Sequence, residues 1–456
     1  MPRARPAESG ATDPTRTRRP GGMPASVPPP DVPLSFLGAS GLALVVLGVV
    51  LALTASHIVS APSDDVPIAV THVAMLGFLT TGVLGALHQF STVVGMRPLR
   101  SIAWARVTFY VVVAGVWLLP VSFASHDNPL VAGAGALLTI GFCLAAWNLS
   151  GPLSSRRKDP SLTGLRWSVA GLLTTAGFGV TYAFDRNGTW FNLSPNVDLA
   201  HAHIGLLAWL GLAYVAVAEK LWPMFLLAHR PGRSPGVLAV RLVPAGVVVV
   251  VAGLLTDERY VALAGGVIVG AGLGCHLASF AGLVRHRRRP LELLHAFVIA
   301  SAVFLVAAAG LAAAAGFAPV STTVRSGLAS AEVAALASWL GLALLGHVHK
   351  VVPFVVWGVF RSREIRTGPG GRPLLFADLW RKDVGRATFV TATCGFSGTV
   401  AGLASGLAPL VVAGGVCLAT TGVLALANLT LTPLRLLHRV HPEPPTASVV
   451  GVTARG

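Results

Sequence analysis

GHVHKVVPFVVW, residues 346–357, carries His347, His349 and Lys350 inside an apolar run that extends over residues 328–361. A charged side chain at bilayer depth costs at least about 2.5–3.5 kcal/mol, so ionisable groups placed there are functional-site candidates by default. Whether this run crosses a membrane is decided by the rest of the chain. Of 456 residues, 54% are hydrophobic and only 11% are charged, far below the share in a soluble protein. The 51 glycines suit packed transmembrane helices, where small residues let backbones approach. No period-two alternation points to an outer-membrane barrel. The fold class is therefore all-α, a polytopic helical membrane protein.

Apolar runs near or above twenty residues predict twelve spans, at 34–56, 66–96, 102–124, 129–151, 163–185, 197–228, 235–256, 260–284, 291–317, 328–361, 383–405 and 408–434. The even-numbered connections hold RPLR, RRK, HRPGR, RHRRR and the long RSREIRTGPGGRPLLFADLWRKDVGR, whereas the odd-numbered ones hold only Arg186, Arg259 and Arg325. By the positive-inside rule both termini are cytoplasmic, in a bacterial-type plasma membrane. Residues 1–33, rich in Pro, Arg and Gly, read as a disordered basic cytoplasmic tail. Residues 34–435 form the transmembrane domain, and 436–456 a second cytoplasmic tail. The net charge of +16 follows this loop bias rather than a nucleic-acid surface, because no basic stretch is interleaved with aromatics. The partner implied by composition is the lipid bilayer, with no nucleic acid. The four cysteines all lie in apolar segments and build no disulfide framework. No strong internal repeat is read, which counts against an inverted-repeat transporter.

With this topology and a rise of about 1.5 Å per residue, His72 lies about 9 Å below the outer face. His201 and His203 lie near the outer end of span 6. His349 and His347 come about 17 and 20 Å above the inner face. These five histidines fall at similar depth, while His88, His276 and His295 fall deeper. A single imidazole in a span is more often a packed residue than a ligand; five at one depth argue for ligation. Residues two apart on a helix point about 200° apart, so His347 and His349 face two different sites flanking span 10. Neutral imidazole suits haem iron and copper.

Three stretches carry a family resemblance: GHVHK in span 10, THVAMLGFLTTGVLGALHQFSTVV in span 2, and HAHIGLLAWLGLAYVAVAEKLWPMF in span 6. The chain resembles a divergent heme-copper oxidase subunit I, closest to the cbb-type oxidases, which are twelve-helix bundles. The resemblance implies that His72 and His349 hold a low-spin haem and that His347 holds a second haem iron. It further implies a copper ion near His201, with His203 beside it. The implied cofactors are two b-type haems and copper. The implied partners are an electron-donor protein or quinol and additional membrane subunits. The implied activity is that of an oxidoreductase, a terminal oxidase or a nitric oxide reductase-like enzyme. No C-x-x-C-H is present, so any c-type haem belongs to another subunit.

The chain departs from the family pattern in span 7, SPGVLAVRLVPAGVVVVVAGLLT, which has no histidine pair and no tyrosine. Tyr214 is the candidate substitute, and Lys350 stands where the family has a small residue. Two alternatives stay open. One is a non-catalytic haem-based gas sensor or electron relay. The other is a twelve-helix secondary transporter whose histidines handle protons or metal ions. Cys275 and His276 are read as too deep to join the site. Glu219 and Lys220 read as snorkelling or paired, and Glu332 as near the surface.

Overall fold

The structure, a computed structural model, describes residues 27–228, 234–368 and 371–439. All twelve runs are helical. They are α1 (Asp31–Ser60), α2 (Asp65–Gly95), α3 (Ile102–Ala124), α4 (Asn128–Leu153), α5 (Pro160–Gly188), α6 (Val197–Leu226), α7 (Pro235–Leu255), α8 (Arg259–Arg285), α9 (Leu293–Phe317), α10 (Thr322–Ser362), α11 (Lys382–Ser405) and α12 (Ala408–Arg439). Eleven are long and apolar enough to cross a membrane, which makes this a multi-pass membrane protein. The exception is α5, whose many Ser, Thr and Gly residues lower its hydropathy; it packs between α4 and α6. The expected tails lie mostly outside the described residues, with α1 beginning at Asp31 and α12 extending to Arg439.

Helix starts follow local chemistry. The side chains of Ser101, Asp127, Asp159, Ser234 and Ser321 accept hydrogen bonds from first-turn amides of α3, α4, α5, α7 and α10. Prolines stand in the first turns of α4, α5 and α7, where the missing N–H costs nothing. The connections gather at two ends. At one, Asp65 bonds His126 and Arg186, both at 2.8 Å. At the other, Lys220 pairs with Asp159 at 2.9 Å, and the Arg288 amide donates to the Leu226 carbonyl at 3.0 Å. The second is the basic end, because the arginine-rich connections lie there.

Helices α2, α6 and α10 stand at the centre, and the other nine pack around them, with α12 against α1 closing the ring. Gly48 and Gly415 permit that closure: a β-carbon on Gly48 would lie 2.2 Å from the Ala419 amide.

The central helices share features and contacts at corresponding positions. Both α2 and α6 contain a π-helical segment, Val73–Thr80 and Ile204–Gly211. Each opens on a histidine, His72 or His203, whose Nδ1 bonds the carbonyl four residues earlier at 2.8 Å. In this register Phe78, Trp209 and Trp339 share one position, and Thr80, Gly211 and Gly341 share another. The contacts form a cycle. Phe78 of α2 packs on Gly341 of α10, Trp339 of α10 packs on Gly211 of α6, and Trp209 of α6 packs on Thr80 of α2. An approximate three-fold axis therefore runs up the centre, plugged by three aromatic rings.

The level of the H-x-H pair along the bundle is marked by an ion pair. Lys350 pairs with Glu292 at 2.5 Å, and Glu292 caps the start of α9 at the basic end. Beyond Lys350, α10 runs unbroken through Pro353 and projects past the start of α9. Its Val352, Val356 and Phe360 form a small core with Leu37, Leu374, Leu379 and Trp380. Val352, Val356 and Phe360 are buried against Leu37 and the connection to α11, which places the pair toward the basic end of the bundle.

Candidate functional site

His347 and His349 leave α10 on opposite sides, as their spacing requires. His347 faces α6 and α8, its ring centre 5.8 Å from that of Tyr214. His349 faces α9 and α11, 5.0 Å from Phe297 and 4.8 Å from Trp380. Each Nδ1–H donates to its own helix, to the carbonyl of Ala343 or Leu345, at 2.7 Å. A carbonyl can only accept, so the proton is on Nδ1 and each Nε2 keeps its lone pair. Both Nε2 atoms are buried without a hydrogen-bond partner.

The two open nitrogens differ in what lies ahead of them. A β-carbon on Gly385 of α11 would come within 3.0 Å of His349 Nε2, so this nitrogen abuts backbone. His347 Nε2 instead belongs to a cluster of side chains from several helices. Tyr214 is edge-on to His347, to His276 at 5.3 Å and to Trp339 at 5.7 Å. Trp222 lies 4.8 Å from His276. The sequence reading set His276 too deep to join a site; because the H-x-H pair is itself near the basic end, His276 stands within electrostatic range of His347.

The structure does not bring His72 to His349. Leu344 of α10 packs on Gly82 of α2, and the two helices run parallel. From those levels His72 lies ten residues one way and His349 five the other, about 20 Å apart along the axis at 1.5 Å per residue. His72 stacks on Phe123 at 5.2 Å, far from the basic end. Its neighbour there is His201, which lies within electrostatic range and packs against Gly179 of α5, with Nδ1 buried and unpartnered. His203 turns away, tied to the Leu199 carbonyl. Among the described residues, no group of three or more His, Cys, Asp or Glu stands close enough to hold a metal ion.

One residue singled out only in passing gains weight. His88 lies level with His349, and its setting is a duplicate. His88 has Phe36 at 5.2 Å, and Phe36 meets Phe109 edge-on at 5.1 Å. His349 has Phe297 at 5.0 Å, and Phe297 meets Phe389 edge-on at 5.0 Å. β-Carbons on Gly85 and Gly346 would meet Phe36 and Phe297 at the same 2.7 Å. The shared G-x-x-H of GALH and GHVH was the signal in the sequence. At the third equivalent position stands Glu219, buried, which accepts from Ser279 at 3.0 Å and Ser234 at 3.3 Å.

Compared with known proteins, the chain matches no family model and no curated protein.

Proposed function

We propose that the protein is a haem-binding electron-transfer protein of a plasma membrane, in which His347 would hold the haem iron. The observation that carries this reading is the His347 ring, whose Nδ1 is fixed by the Ala343 carbonyl while Nε2 is buried with no partner. In a metal-ligating imidazole the second nitrogen is usually tied in this way, which fixes the tautomer and raises ligand basicity. Haem, when bound, supplies one-electron chemistry. The chain's own contribution is orientation and exclusion of water. Tyr214, Trp222 and Trp339 wall the site.

The resemblance to heme-copper oxidase subunit I supports the reading, since the helices that carry its motifs, α2, α6 and α10, pack together at the centre. The residues present favour the relay alternative within that resemblance. Reduction of oxygen or nitric oxide in that family needs the span 7 histidine pair, and α7 has no histidine. The electron donor is a protein or a quinol, and the basic end is cytoplasmic by its charge.

The test is an absorbance spectrum of detergent-purified protein, oxidised and dithionite-reduced, with a pyridine haemochrome assay. A stoichiometric b-type haem lost in His347→Ala supports the proposal. Protein without haem, after expression with ample haem supply, sinks it and favours transport.

A further inference from the structure

Arg166 is the seventh residue of α5, and Arg241 is the seventh residue of α7. Both line one cleft of about 810 Å³ at the basic end, together with Arg156, Arg157 and Lys158 of the connection between α4 and α5. Val237 and Val240 of α7 supply an apolar wall beside them. Five cations thus share a single space.

Loop charge accounts for residues 156–158, because the positive-inside bias acts on connections. It does not account for Arg166 or Arg241, which stand inside helices. A cation placed there is costly unless its head reaches polar partners. Arg166 reaches back along α5, donating from Nε to the Leu153 carbonyl at 2.8 Å and from a terminal nitrogen to the Ser155 carbonyl. Those bonds fix the connection against α5 but bring no negative charge.

The cleft lacks a free counter-ion of its own. Asp159, its carboxylate among the described residues, already takes Lys220 at 2.9 Å and the Ser161 amide at 2.9 Å. The side chains of Arg156, Arg157, Lys158 and Arg241 have no hydrogen-bond or ion-pair partner among the described residues. Elsewhere the contrast is plain: Arg106, Arg186, Arg372 and Arg381 each hold an aspartate. Cations gathered without an acid repel one another, and an anion seated among them removes that cost. Arginine forks match phosphate oxygens in pairs, and basic pockets between helix ends suit anionic headgroups. Trp167, the residue after Arg166, is 56% exposed, as an aromatic anchor at headgroup level would be.

We propose that the cleft between the α4–α5 connection and α7 is a binding site for a phosphate group, the chemistry shared by an anionic phospholipid headgroup and a soluble phosphate. This site is separate from His347 and does not rest on the haem reading.

The experiment uses the full-length protein in a non-ionic detergent. Phosphatidylglycerol and its zwitterionic counterpart phosphatidylcholine are titrated in, with bound lipid followed by native mass spectrometry. Inorganic phosphate is titrated separately by calorimetry. Saturable binding of phosphatidylglycerol in preference to phosphatidylcholine identifies a lipid headgroup, and binding of inorganic phosphate identifies a soluble ligand. Arg157→Gln/Arg241→Gln should weaken whichever binds by about fivefold per cation, about 25-fold together. Arg287→Gln/Arg289→Gln, which removes the same charge from the α8–α9 connection, should bind as wild type does. Wild type that binds neither probe, or that shows no preference for phosphatidylglycerol and takes no phosphate, overturns the proposal. Equal loss in the two double variants does so as well, since it reduces the effect to overall charge. Should Arg157→Gln/Arg241→Gln fail to fold, Arg157→Gln alone, an exposed side chain of the connection, should still show the fivefold loss; unchanged binding in it would then count against the site.

Discussion

Trp209 of α6 donates its indole N–H to the hydroxyl of Thr80 on α2, 3.1 Å away. It is the polar member of three symmetry-related contacts; in the other two an aromatic ring meets Gly211 or Gly341, which offer no side chain. The central axis is thus held by ring-on-small-residue packing with one hydrogen bond.

Trp209→Phe should cost about 1–3 kcal/mol by leaving the Thr80 hydroxyl unpaired in a buried site. Gly341→Val should cost a comparable or larger amount, because its β-carbon would fall 2.9 Å from Phe78 and 2.8 Å from Phe396. Melting temperatures in detergent measure both. A Gly341→Val protein as stable as wild type would mean that α2 and α10 do not pack in this register.

Haem content should separate the two histidines of GHVH. His347→Ala is expected to lose haem, whereas His349→Ala and His72→Ala should retain it, since His349 Nε2 abuts Gly385 and His72 stands at the far end of the bundle. Pyridine haemochrome per polypeptide gives the ratio. Equal loss in His349→Ala would move the site to the α9–α11 side.

Asp159, at the basic end before α5, sets a pH dependence. Burial alone would raise its pKa, but hydrogen bonds from Lys220 and the Ser161 amide outweigh that and hold it below the ordinary carboxylate value. A carboxylate with a depressed folded pKa contributes stability that is fully present above its unfolded pKa and is lost as pH falls through the folded one. Wild type should therefore be more stable than Asp159→Asn at neutral pH. The gap should close as the pH is lowered below about 4, the range in which an unfolded aspartate titrates. Thermal melts at stepped pH check the sign, and a gap that widens in acid would refute it.

Gly236→Ala should be more damaging than its size suggests. A β-carbon there would lie 1.8 Å from a Glu219 carboxylate oxygen, forcing that buried group off Ser234 and Ser279. A loss of about 1–3 kcal/mol is expected from overpacking, against about 1 kcal/mol for removing the Ser279 hydroxyl from Glu219 in Ser279→Ala. Chemical denaturation of the two variants side by side gives the order.

The three-fold repeat was hard to read because few identities survive at equivalent positions. Phe78 answers to Trp209 and Trp339, His88 to Glu219 and His349, and α10 lacks the π-helical segment of the other two. Burial asks only that a position be aromatic, small or polar, so the chemistry repeats while the residues do not.

The sequence by itself determined the twelve helices, the gathering of arginine in alternate connections, and the opposite facing of His347 and His349. Each depends on properties local to a segment: the length of an apolar run, the charge of a loop, the turn angle per residue. Tertiary structure alone decided the level at which those histidines sit, the meeting of His276 with Tyr214 and His347, and the separation of His72 from His349. These depend on how far each helix slides along its neighbours. That offset is set by Gly211, Gly341 and Gly82 receiving side chains from the next helix, and by the last turns of α10 being buried beyond the start of α9.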